Sequence, residues 1–128
     1  MDIEKIKKKF TNGDYNYTLK IPDMVSSTHI FDEDMSVRQN REMAEEHNQK
    51  VKQMREKLFQ ERAKRYQQLR QDVINYIVED YKVTLKQANI IEDFAYAQKG
   101  DEVMSYLCYI DDVATLAESL FDSNHSYK

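Results

Sequence analysis

The sequence predicts a mainly α-helical protein, and three observations support this prediction. Its 128 residues include only 2 Gly and 1 Pro, too few for the tight turns of sandwiches, barrels and nucleotide-binding α/β folds. Neither residue type occurs between Asp23 and Lys99. Apolar residues recur there at steps of three and four, which is the period of a helix. We therefore expect a long central helix, coiled-coil-like in its pattern, a C-terminal αα-hairpin and a small N-terminal module.

The N-terminal module is predicted over residues 1–31 and combines a short helix with a β-hairpin. Three apolar residues share one face of the short helix: Ile3, Ile6 and Phe10. The Asn12-Gly13 pair then indicates a turn. Residues 15–21 alternate apolar and polar side chains, which is the period of a strand. Because a lone strand leaves its backbone hydrogen bonds unpaired, we expect residues 24–31 to return beside it.

A long charged helix is predicted over residues 36–82. Ser36 and Gln39 have the spacing of a capping box, which marks the start of a helix. A helix of this length rises roughly 70 Å, so it must fold back, be interrupted, or pair with a second copy as a homodimer. Its apolar side consists of Val37, Ala44, His47, Val51, Met54, Leu58, Ala63, Tyr66, Leu69, Val73, Ile77 and Tyr81.

The apolar side of this helix changes character along its length. The steps of three and four slip near residues 58–63, where we expect Phe59 to turn inward. Apolar residues are sparse before Val51 and dense after Tyr66. We therefore expect the first half of the helix to be exposed and the second half to be packed.

The C-terminal hairpin is predicted over residues 84–122. Thr84 and Gln87 form a second capping box. Gly100 is expected to end the first helix of the hairpin, and Asp101 to cap the second. Because the two helices need a third apolar partner, we expect them to pack on the end of the long helix as a three-helix unit.

The motifs of catalysis and of metal binding are missing, so we expect a protein that is not an enzyme and needs no cofactor or metal. The three histidines are isolated, and the adjacent acids at 79–80, 92–93 and 111–112 are most simply solvated helix faces. The single cysteine, Cys108, lies in an apolar stretch, which favours a buried, inert thiol. The longest apolar stretch contains three acids and is not expected to span a bilayer.

Charge is unevenly distributed along the chain, whose net charge is -4. Residues 36–72 carry 10 basic and 6 acidic groups, whereas residues 73–128 carry 4 basic and 10 acidic groups. The basic stretch offers a possible nucleic-acid-binding stripe: Lys50, Arg55, Lys57, Arg62, Lys64 and Arg65. Its lysines are seven residues apart and so share one side of a helix, as a phosphate-binding stripe would require. Six potential ion pairs at i,i+4 suggest instead an exposed helix flank.

The acidic C-terminal third suggests a different partner. Clustered carboxylates on rigid helices can occupy a basic groove of a nucleic-acid enzyme, and tyrosines are frequent in protein interfaces. The predicted partner-binding residues are Tyr106, Tyr109, Asp111, Asp112, Glu118 and Asp122.

The whole chain resembles small accessory proteins of phages and mobile elements from AT-rich Gram-positive bacteria, being short, acidic and Tyr-rich. The stretch from Tyr76 to Ala88 is similar to helical ends of such proteins, and the opening residues look like those of a small anti-CRISPR inhibitor. The resemblance implies a protein of the bacterial host cytoplasm that blocks a host or defence protein by occupancy. A DNA-binding regulatory dimer and a scaffolding coiled coil remain as alternatives.

Overall fold

The computed structural model describes residues 2–102 and 104–122. Within this part of the chain there are four α-helices and no strand. They are α1 (Ile3–Thr11), α2 (Val37–Tyr81), α3 (Leu85–Ala97) and α4 (Ser105–Ala117), and a π-helical turn, Glu118–Asp122, follows α4. The prediction of a mainly helical protein with one long helix is therefore confirmed.

Three of the helices have an N-cap with a short polar side chain, and two of these caps were predicted from the sequence. The Asp2 carboxylate accepts a hydrogen bond from the Lys5 backbone amide. At α2, the Gln39 amide donates to the Ser36 hydroxyl oxygen at 3.1 Å, and the Ser36 amide donates to the Gln39 side chain at 2.9 Å. Thr84 forms the same reciprocal capping box at α3. Each cap satisfies amides that have no partner within the helix.

The predictions that Gly100 ends α3 and that Asp101 caps α4 were wrong. The α3 helix ends one turn before Gly100, with Gln98 as its C-cap, and α4 starts after Met104, without a side-chain cap. The left-handed residue that ends a helix is instead Lys82, with φ of 55°, directly after α2. Only Gly13, with φ of 86°, is a glycine with positive φ among the described residues, in agreement with the predicted turn.

The chain divides into two compact units. Unit 1 comprises the described residues up to Asn16 and those from Lys64 onward, and unit 2 comprises Tyr17–Ala63. The boundary falls within α2, just after the segment in which the apolar spacing slips. The helix nevertheless continues without a break from Val37 to Tyr81.

Unit 1 has a core made by the last part of α2 together with α3, α4 and α1. Its buried apolar residues are Ile6, Tyr15, Leu69, Val73, Ile74, Tyr76, Ile77, Ala88, Ile91, Ala95, Tyr106, Tyr109, Ile110 and Val113. The α3 and α4 helices therefore pack with the end of α2, as expected for a three-helix unit. The short helix α1 joins them through Ile6, so it belongs to this core rather than to a separate N-terminal module.

Unit 2 contains the first part of α2 and residues 17–35, which we call the strap. The strap has no strand, so the predicted β-hairpin was wrong. A two-stranded ribbon without a third strand is marginally stable in water. Side chains of α2 bind strap backbone groups instead, as at Val25, whose N–H and C=O both contact Asn48.

The two parts of α2 differ in burial as predicted. In unit 2, Ala44 and Val51 are the fully buried apolar residues of the helix, whereas the part in unit 1 buries Leu69, Val73, Ile74, Tyr76 and Ile77. Phe59 is 77% exposed, so the expectation that it turns inward was wrong. Val37, assigned to the apolar side, is 78% exposed.

Candidate protein-interaction surface

The α4 helix is anchored in unit 1 by one side only. Five side chains of this helix are buried: Tyr106, Tyr109, Ile110, Val113 and Ala117. They recur at steps of three and four and therefore share one face. Because this face is packed in the core, the opposite face is presented from a fixed backbone.

The outer side of α4 carries Asp111 and Asp112, and Glu118 follows in the π-helical turn directly after it. Asp111, Asp112 and Glu118 are exposed, and we call these three residues the acidic face. Asp111 forms an ion pair with Lys7 of α1, and its hydrogen bond to the ammonium group raises the pKa of Lys7. The pair partly neutralises Asp111 and connects α1 to α4. Asp112 and Glu118 supply the remaining negative charge.

The fourth predicted acid, Asp122, ends the π-helical turn after α4. Its side chain lies outside the described part of the structure, so the acidic face is defined without it. The single cysteine is a correction: Cys108 is exposed. It lies one helical turn before Asp111 and Asp112, on the outer side of the amphipathic helix rather than in its apolar face.

The two tyrosines predicted to contact a partner lie in the core. Tyr106 is 6% exposed and Tyr109 is 1% exposed, so their side chains do not form part of the accessible surface. The Tyr106 ring stacks on that of Tyr66 with centroids 4.3 Å apart. Burial raises the pKa of both phenols. These residues hold α4 in place.

A buried ion pair beside Tyr109 was missed by the sequence analysis. Glu92 was interpreted as part of a solvated acidic pair, but it is 1% exposed. Arg70 donates to both of its carboxylate oxygens at 2.7 Å, and the Tyr109 hydroxyl donates to Oε2 at 2.7 Å. The available signal was the position of Glu92, four residues after buried Ala88 and three before buried Ala95.

The basic residues of α2 are distributed over both units and are partly engaged. In unit 2, Lys50 pairs with Glu46 at 3.2 Å and Arg62 donates to the Tyr17 carbonyl oxygen at 3.0 Å. In unit 1, Arg65 donates to the Asp14 carbonyl oxygen at 3.4 Å. Arg55 donates to the Met24 sulfur at 3.9 Å. Arg55, Lys57 and Lys64 are exposed.

Among the described residues, no three His, Cys, Asp or Glu side chains are grouped closely enough to hold a metal ion. None of the helices in this part of the chain has the length and apolar character needed to cross a membrane.

Comparison of the chain with family models, curated proteins and solved structures finds no match.

Proposed function

We propose that this chain is a phage-type accessory protein that binds a host nucleic-acid or defence protein and inhibits or modulates it by occupancy, without catalysis. One observation carries the proposal: Asp111 and Asp112 are exposed on α4, Glu118 is exposed in the turn directly after it, and the other face of α4 is packed in the core. Carboxylates on such a support need little reorganisation on binding, which lowers the entropic cost of forming an interface.

The partner that this surface fits has a basic groove. Nucleic-acid enzymes, such as a CRISPR effector nuclease in the cytoplasm of a bacterial host, have grooves of this kind for phosphate groups. Opposite charges accelerate association and determine the orientation of the complex. The resemblance to phage accessory proteins favours the same partner class.

Charge reversal tests the acidic face. We expect the double variant Asp112→Lys and Glu118→Lys to lose binding to a purified CRISPR effector nuclease, measured by titration calorimetry. This variant retains Asp111 and its ion pair with Lys7. The matched control is Glu45→Lys and Glu56→Lys, which reverses two exposed carboxylates of unit 2 and changes the net charge equally. Equal weakening by both variants would assign the effect to net charge rather than to the acidic face.

Cys108 provides a second, independent measurement because it is the chain's single cysteine and is exposed beside the acidic face. We expect a partner on that face to slow alkylation of the thiol about tenfold or more. An unchanged alkylation rate in a saturated complex would place the partner on another surface. A Cys108→Ser variant with normal affinity would show that the thiol reports on binding without taking part in it.

DNA binding through Lys50, Lys57 and Lys64 remains the alternative for the basic stripe. It predicts retention on duplex DNA that falls steeply with salt. Retention that is lost when these lysines are replaced by glutamate, with no stoichiometric protein partner, would favour this alternative. Large self-assemblies without either partner would favour a scaffolding coiled coil.

A further inference from the structure

The strap of unit 2 is held by side chains of α2 rather than by backbone pairing. Asn48 accepts a hydrogen bond from the Val25 amide and donates to the Val25 carbonyl oxygen, both at 2.8 Å. His47 Nε2 lies 2.8 Å from the Asp23 carbonyl oxygen. These contacts recognise main-chain groups, and they replace the ladder that a strand would have supplied.

A second attachment lies near the start of α2. Asn40 is 7% exposed, and its side-chain oxygen accepts a hydrogen bond from the Phe31 amide at 2.9 Å. Its side-chain nitrogen donates to the Asp32 carbonyl oxygen at 3.2 Å. The strap is therefore attached at both its middle and its end by asparagine side chains of one helix.

The strap covers part of the apolar side of α2. Ala44 and Val51 are both 0% exposed. Unit 2 contains only one helical stretch, so no second helix of that unit buries them, and the strap is the rest of the unit. These two residues are seven positions apart and therefore lie on one side of the helix. They belong to the apolar side for which pairing with a second copy was one of the three possibilities given by the sequence.

The strap leaves open depressions along α2. One, of about 490 Å³, lies between strap residues that include Ile30 and helix residues that include Val37. Another, of about 230 Å³, is lined by Phe31, Met43 and His47 among others. Ile30 is 64% exposed. Phe31 is also exposed, at 37%. Because these apolar side chains of the strap stay largely in contact with water, the strap buries little apolar area and is a weakly packed cover.

We propose that the strap and the α2 helix of a second copy compete for the same side of α2. With the strap bound, the protein is a monomer. With the strap released, two α2 helices pair through the side that contains Ala44 and Val51. Ion pairs at i,i+4, Arg38 with Glu42 and Lys50 with Glu46, give the flanks charges of both signs. A second helix of the same sequence therefore meets no uniform repulsion.

Releasing the strap tests this competition. In the variant His47→Ala and Asn48→Ala, we expect the Val25 amide to exchange with solvent about tenfold faster or more, because its hydrogen-bond acceptor is gone. We also expect light scattering to give the mass of a dimer for this variant at a concentration at which the unaltered protein is a monomer. The matched control is Gln49→Ala and Gln53→Ala, which changes two exposed polar residues of the same helix and should alter neither measurement.

Each other outcome overturns the proposal. Faster exchange without dimers would show that the uncovered side does not pair, and unchanged exchange would show that His47 and Asn48 do not hold the strap. Adding Val51→Lys to the released variant places a charge on the pairing side and should abolish the dimer. A dimer that survives this change uses another surface. Equal helix content by circular dichroism confirms that the variants are folded.

Discussion

Arg70 and Glu92 form a two-point ion pair between α2 and α3, with Nε and Nη2 each donating a hydrogen bond of 2.7 Å. The Glu92 side chain is 1% exposed and the Arg70 side chain is 23% exposed, with its guanidinium carbon 3.7 Å from the centroid of the Tyr96 ring. The Tyr109 hydroxyl donates to the same carboxylate from α4. One acidic side chain thus connects three helices of unit 1.

Removal of the carboxylate charge is expected to destabilise unit 1 strongly. In Glu92→Gln, Arg70 loses its two-point partner and keeps only the exposed Asp93 carboxylate, which it contacts at 2.8 Å. Breaking a buried pair costs about 3–5 kcal/mol, and we expect a loss toward the lower end of that range because Asp93 still offsets the charge. Urea unfolding followed by circular dichroism measures this loss as a lower midpoint.

The double replacement Arg70→Met and Glu92→Gln provides the control for that measurement. Because it removes the buried positive charge as well, it should be more stable than Glu92→Gln alone. If the double variant loses at least as much stability as the single variant, uncompensated charge is not the cause of the destabilisation.

The Tyr15 hydroxyl donates a hydrogen bond of 2.6 Å to Asp72 in the core of unit 1. Tyr15→Phe should lower the free energy of unfolding by about 1.5–3 kcal/mol, because a hydrogen bond to a charged group is lost. Tyr66→Phe is the matched control, since its hydroxyl is buried without a hydrogen-bond partner among the described residues. We expect that change to be neutral or stabilising, and equal losses from both variants would contradict the prediction.

Stability should fall at high pH because of the buried phenols. Burial, followed by the hydrogen bond to Glu92, raises the pKa of Tyr109, whereas phenols of the unfolded chain ionise near pH 10. Below about pH 10 the phenol is neutral in both states, so its contribution is fully present. Above that pH the unfolded chain releases the proton more readily, and the contribution is progressively lost.

Urea midpoints at pH 8, 9.5 and 11 measure this loss. Lysine titration contributes in the same range, so the Tyr109→Phe variant serves as the reference. We expect its midpoint to fall less between pH 9.5 and 11 than that of the unaltered chain. Parallel curves for the two proteins would show that Tyr109 does not cause the loss.

The end of α2 offers a stabilising substitution. Lys82 has φ of 55°, a conformation in which a side chain is strained and glycine is not. Lys82→Gly should raise the free energy of unfolding by about 0.5–1 kcal/mol, after allowance for the greater freedom of glycine in the unfolded chain. Lys82→Val should lower it, because a β-branched residue fits this conformation poorly. A thermal melt of both variants tests the sign of each effect.

Local patterns predicted the helices well. The scarcity of glycine and proline, the capping boxes at Ser36 and Thr84, and the recurrence of apolar residues each act within a few residues of the chain. They therefore indicated α2 and α3 and the burial of Leu69, Val73 and Ile77. Alternation over residues 17–21 was also informative, since Tyr17, Leu19 and Ile21 are the half-buried residues of that stretch.

Contacts between distant residues were not accessible in this way. The alternating stretch faces a helix instead of a second strand, because Asn48 and Arg62 bind strap backbone groups across more than 20 residues. Likewise, an exposed and a buried carboxylate look alike in a sequence. Glu92 differs from the exposed Asp111 because it pairs with Arg70, which lies 22 residues from it in the chain.

The sequence by itself determined the helical class, the positions of α2 and α3, and the placement of acidic residues on α4, because these properties depend on backbone preference and on a period of 3.6 residues. Only the tertiary structure decided that Tyr106 and Tyr109 are buried, that Cys108 is exposed, and that a strap covers the first part of α2. Those outcomes depend on which faces meet in space, where desolvation and hydrogen bonding between distant residues outweigh local preference.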